Sequence, residues 1–61
     1  MTYGELKRLL KKNGCYLHHQ GANHEMWYSP ITGNQFPVGR HNKEEVRPGT
    51  LSKIKASAGL K

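Results

Sequence analysis

The chain of 61 residues contains no aspartate, and its only acidic side chains are four glutamates. A nuclease that works through a pair of metal ions needs a cluster of carboxylates, so that class is excluded as a first reading. Cysteine occurs once, as Cys15. A single thiol cannot form an internal disulfide; it fits a reducing cytoplasm, where Cys15 reads as a small core residue. No apolar run approaches the ~20 residues that cross a bilayer, and no signal-peptide pattern is visible. A cytoplasmic protein with no membrane partner is therefore expected. The metal-ligand spacings Cys-x-x-Cys and His-x-x-x-His are also missing. His18 and His19 are adjacent on a predicted strand, which aims them at opposite faces and keeps them from chelating together. No metal or other cofactor is expected.

The residues that are present lean strongly to one charge. Ten Lys or Arg against four Glu give a net charge of +6 and a pI near 9.8. Such an excess favours a polyanionic partner. The length allows one domain, spanning 1–61, and domains this small bury only about 60% of their unfolded surface. A deep catalytic cavity is not expected. Any site should lie on the surface, with a large substrate laid across it.

Residues 2–12 read as a helix. Thr2 and Glu5 have capping-box spacing, Tyr3, Leu6, Leu9 and Leu10 share one face, and Asn13-Gly14 is a stop signal. The opposite face carries Lys7, Arg8, Lys11 and Lys12, opposed only by Glu5. Residues 15–20 and 24–29 read as antiparallel strands. With Gly21-Ala22 as the turn, His19 faces His24, Leu17 faces Met26 and Cys15 faces Tyr28. These six form the more apolar side, which is assigned to the helices. Tyr16, His18, Glu25 and Trp27 are then left on the open side, and His24 stands at the rim of the core side. Pro30 to Asn34 is a turn cluster. Residues 35–39 form a short edge strand, because Pro37 cannot donate a ladder bond. Phe36 and Val38 lie on one side of it. A charged loop, 40–49, leads to a short helix from about 51 to 58, with Thr50 as N-cap, Leu51, Ile54 and Ala58 as apolar stripe, and Gly59 as stop. The expected fold is α+β in the order α-β-β-β-α, with two helices on one face of a three-stranded antiparallel sheet.

The turn Gly21-Ala22-Asn23-His24 is the best candidate for chemistry. A histidine there is either a plain hydrogen-bonding turn residue or a general acid or base on RNA. RNA supplies its own nucleophile, the 2′-OH, so an enzyme needs only proton transfer and charge stabilisation. Histidine suits the first task and Lys or Arg the second. Arg40-His41 is the second concentration: Arg40 suits a phosphate, and His41 a second proton transfer or a phosphate contact, unless this is only a solvated loop. The basic helix face is the third, either solubilising or phosphate-tracking. Lys43, Arg47, Lys53 and Lys55 would extend it. Trp27 and Tyr16, on the open side, suit base stacking or a protein partner.

These pieces together resemble the HicA family of bacterial toxins, small mRNA interferases. The resemblance runs from Thr2-Tyr3-Gly4-Glu5-Leu6 through Asn13-Gly14, Gly21-Ala22-Asn23-His24, Pro30-Ile31-Thr32-Gly33 and Pro37-Val38-Gly39-Arg40-His41 to Pro48-Gly49-Thr50-Leu51 and Ala58-Gly59-Leu60. It implies a fold like a double-stranded RNA-binding domain and an essential histidine, which falls on His24. The family's usual Gly-Ser-His turn is replaced here by a longer one in which Gly21 is kept and Ala22-Asn23 stands for the serine. The resemblance also implies an mRNA substrate and inhibition by a HicB antitoxin that covers the active surface. The leading expectation is a metal-independent toxin endoribonuclease. His24 would transfer protons, Lys7, Arg8, Lys11, Lys12, Arg40 and Lys43 would hold RNA, and DNA would not be bound by the toxin alone. The alternatives are a non-catalytic double-stranded-RNA-binding-like module and a regulatory protein-interaction domain.

Overall fold

The computed structural model describes residues 1–60. Helix α1 is Tyr3–Lys12. Thr2 caps it: its hydroxyl accepts from the Glu5 amide at 3.3 Å, and Glu5 Oε1 accepts from the Thr2 amide at 2.8 Å. A reciprocal cap of this kind stabilises a helix end by about 1 kcal/mol. Asn13 closes the helix, and Gly14 follows at φ +89°, a backbone region that glycine enters at low cost. The expected start and stop of this helix both hold.

Strands β1 (Tyr16–Gln20), β2 (His24–Tyr28) and β3 (Gln35–Gly39) form one antiparallel sheet in that order. β3 is an edge strand, as Pro37 required. Helix α2 is Pro48–Ala58. The order α-β-β-β-α is the expected one. α2 begins earlier than expected: Arg47 occupies the N-cap without a side-chain cap bond, and Thr50 lies inside the helix. Pro48 explains this, since proline is well suited to the first helical position, where its missing N–H costs nothing. Gly59 ends the helix in the left-handed region at φ +78°.

The two sides of the sheet are exchanged relative to the expectation. Trp27 is 2% exposed, and it packs with Phe36, Val38, Leu6, Leu10, Cys15, Val46, Ile54 and Ala58 in the core. Trp27 pairs with Phe36 and Glu25 with Val38, so this face of β2 and β3 lies under both helices. His24, Met26 and Tyr28 are on the open face. The count of apolar residues favours the other side because Glu25 reads as a solvent residue. It is held inside instead by Lys7 of α1, at 3.1 Å. Cys15 is buried, as expected.

β1 carries a second correction. Its ladder pairs Tyr16 with Tyr28 and Leu17 with Trp27, then His19 with Met26 and Gln20 with Glu25. The register slips at His18, which is an extra residue, a β-bulge. His19 therefore faces Met26 and not His24, Tyr16 faces Tyr28, and the turn centres on Ala22-Asn23.

Candidate functional site

One end of the sheet gathers most of the predicted site residues. His24 ends the turn and opens β2, and Gly21 N donates to His24 O at 2.8 Å, which closes the hairpin. Its ladder partner is Gly39, the last residue of β3. The next residue, Arg40, reaches back across the sheet end: Nη1 donates to the carbonyl of Ala22 at 2.9 Å. The backbone of the His24 turn is thus tied to a guanidinium whose remaining N–H groups make no other hydrogen bond among the described residues and can meet an anion. His24, Arg40 and His41 are all exposed.

Gly39 has a steric reason to be glycine. A Cβ there would stand 2.8–3.0 Å from ring atoms of Tyr3. The Tyr3 ring lies in that space, so the start of α1 closes directly on the strand position paired with His24. The loop after Arg40 secures the same junction. Asn42 O accepts from the Gly4 amide at 2.9 Å, Glu44 O accepts from the Tyr3 amide at 3.0 Å, and Val46 N donates to Met1 O at 2.9 Å.

Lys7 does not sit where the charge pattern placed it. It is 8% exposed. Its Nζ donates to Asn42 Oδ1 at 2.6 Å and pairs with Glu25 Oε1 at 3.1 Å. The same carboxylate oxygen accepts from Trp27 Nε1 at 3.0 Å. Burial pushes the Glu25 carboxyl up. The hydrogen bonds from Trp27 and Lys7, with the charges of Lys7 and Arg40, together outweigh burial and hold it below the usual glutamate range. Lys7 is therefore a bracket between α1, β2 and the 42–46 loop, and its charge is already matched.

Beside that bracket a cleft of about 530 Å³ opens between α1 and the loop. The buried Lys7 and the side chains of Arg8, Lys11 and Lys43 line it with Asn42, Gly4 and Thr2. Arg8, Lys11 and Lys43 are exposed. Four of the six predicted RNA-binding cations thus meet in one cleft, and a fifth, Arg40, is two residues from Asn42. Lys12 is set apart, in a depression with Leu9, Asn13, Gly59 and Leu60.

Trp27 is a core residue and cannot stack on a base or meet a partner, in contrast to its expected place. Tyr16 is 50% exposed on the open face. Its companion there is Tyr28, with ring centroids 5.4 Å apart and planes tilted by 48°. Three contributors are not foretold by the motifs: Glu25 and Asn42 beside the His24 end of the sheet, and Tyr28 at the far end of its open face. Tyr28 was findable from β3: placing Phe36 and Val38 inward also turns Trp27 inward and Tyr28 outward. Nothing in the spacing of Asn42 foretells its contact with Lys7.

The bulge also overturns the placement of His18 and His19 on opposite sides. Their Nδ1 atoms are 2.8 Å apart, and the rings meet edge to face with centroids at 5.1 Å. Among the described residues, no three His, Cys, Asp or Glu side chains converge to hold a metal ion. No helix among them is long and apolar enough to cross a membrane.

A family model described as the HicA toxin of bacterial toxin–antitoxin systems matches residues 3–60. No curated protein and no solved structure matches the chain.

Proposed function

Because this chain belongs to the HicA family of bacterial toxins, we propose that the toxin acts as an endoribonuclease with His24 as its proton-transfer group. The observation that carries this reading is the tie between Arg40 and the carbonyl of Ala22, which sets a phosphate-seeking group beside an exposed histidine. An RNA strand laid over this end of the sheet would place a phosphate at Arg40. It would then run its backbone along Arg8, Lys11 and Lys43. The His24 imidazole moves a proton at the 2′-OH or at the leaving 5′-oxygen, and Arg40 offsets the charge that builds on the phosphorane. The products are a 2′,3′-cyclic phosphate, or the 3′-phosphate that opens from it, and a 5′-hydroxyl.

The partner in the toxin–antitoxin pair is a HicB-like antitoxin. Met26, on the same face as His24, and the Tyr16–Tyr28 pair at the far end of that face offer it an apolar landing area, and the cationic cleft attracts acidic side chains.

An RNA with a single 2′-deoxy nucleotide tests the chemistry. In the presence of EDTA the toxin should cut the all-ribose strand and spare the bond 3′ to the deoxy position. Cleavage at that bond, or loss of all cleavage in EDTA, would overturn the mechanism. RNA bound and recovered intact would point to a non-catalytic binding module instead.

A further inference from the structure

We propose that His19 is the second proton-transfer group of this reaction, working opposite His24 across the open sheet face, and that His18 positions it. The inference rests on the ribonuclease reading above. Transfer of the phosphoryl group to O2′ needs one proton removed from the 2′-OH and another delivered to O5′. Those two oxygens lie on opposite sides of phosphorus. Each partner must come within about 2.6–3.2 Å of its oxygen, so the two groups must stand several ångströms apart.

The ladder sets that spacing. Gly21 is bonded to His24, and His19 lies on β1 two residues before Gly21. His19 faces Met26, which shares the open side with His24. His19 and His24 are therefore diagonal neighbours on one face, roughly 7–8 Å apart at the backbone. Both are exposed.

The bulge supplies the second observation. An extra residue at His18 turns its ring so that its Nδ1 meets His19 Nδ1 at 2.8 Å. This contact occupies Nδ1 of His19 and leaves Nε2 as the ring nitrogen available for proton transfer. When the pair takes up a proton, the N–H···N bond becomes charge-assisted, which suits it to carry a proton for the leaving group. Bulges re-aim side chains in this way beside active sites.

The step then balances. O2′ bonds to phosphorus while its proton passes to the His24 imidazole. The P–O5′ bond breaks, its electron pair stays on O5′, and His19 Nε2 delivers a proton there. The rings regain their starting charges by proton exchange with water.

The test uses two substrates with the full-length toxin, ordinary RNA and RNA with a 5′-bridging sulfur at the cleaved bond. A thiolate leaves without protonation. His19→Gln should cut ordinary RNA about 100-fold or more slowly than wild type and match wild type on the sulfur substrate. His24→Gln should be slow on both. His18→Ala should slow only ordinary RNA, and His18→Asn, which keeps a hydrogen-bonding group near the same place, should recover it. Recovery on the sulfur substrate also shows that the His19 and His18 variants are folded, and circular dichroism checks the fold of His24→Gln. If His19→Gln equals wild type on ordinary RNA, or stays slow on the sulfur substrate, the assignment is overturned and the ribonuclease reading stands. The same holds if His41→Gln, and not His19→Gln, shows the recovery. A wild type that cuts neither substrate overturns that reading and the assignment with it.

Discussion

Lys7 Nζ and Glu25 Oε1 lie 3.1 Å apart, and both side chains are largely withdrawn from water, at 10% and 15% exposure. The pair joins the first helix to the strand that begins with His24. Removing one partner strands a buried charge, which costs about 3–5 kcal/mol, whereas replacing both with apolar groups of similar size is often neutral. Lys7→Met should therefore lower stability by about that much in urea unfolding, and the double variant Lys7→Met/Glu25→Leu should be closer to wild type than either single one. Additive losses in the double variant would contradict the pairing.

Glu25 also sets an acid limit. Its folded-state carboxyl titrates below the usual glutamate range. A lowered pKa contributes stability that is fully present above the unfolded value of about 4.3 and is lost as pH falls through the folded value. Glu5, held low by its hydrogen bonds with Thr2, acts in the same direction. Thermal unfolding from pH 7 down to pH 2 should show a loss below about pH 4 that is smaller in Glu25→Gln. An identical acid profile for the variant would contradict this.

Gly39 is the place where the first helix closes on the partner of His24. Gly39→Ala should displace the Tyr3 ring and cost about 1–3 kcal/mol, as overpacking does. Combination with Tyr3→Leu should recover part of the loss. A Gly39→Ala variant as stable as wild type would show that the Tyr3 ring moves freely.

The cations divide into two sets. Arg8→Ala, Lys11→Ala and Lys43→Ala should each weaken RNA binding across sequences and lower the log–log salt slope by about one. Lys12→Ala, in a separate depression, should leave the slope nearly unchanged. Equal effects from all four would argue for diffuse attraction and against a backbone track through the cleft.

Much of the fold is legible in the residues themselves. The cap at Thr2 and Glu5, the left-handed glycines at 14 and 59 and the edge proline at 37 each act locally, and each appears where the pattern placed it. The face of the hairpin is not local. It depends on whether Glu25 finds a cation inside, and that cation comes from Lys7, eighteen residues earlier in the chain. The bulge at His18 is likewise a matter of which carbonyls pair, and adjacent histidines look the same on a regular strand. For the candidate site, His24, Arg40 and the cleft cations were named from charge and spacing. The exchange of Trp27 for Tyr28 on the open face goes with the inward Phe36 and Val38 of β3 and with the Lys7–Glu25 pair beneath the helix.

In the proposed mechanism His24 moves a proton during RNA cleavage. The most direct measurement is the cleavage rate of one RNA by wild type and by His24→Ala, both in EDTA, with folding checked by circular dichroism and the new ends identified. A folded His24→Ala protein that is slower by about 100-fold or more, beside a wild type leaving 2′,3′-cyclic phosphate ends, is the result predicted here. A folded His24→Ala protein that cuts as fast as wild type would contradict it.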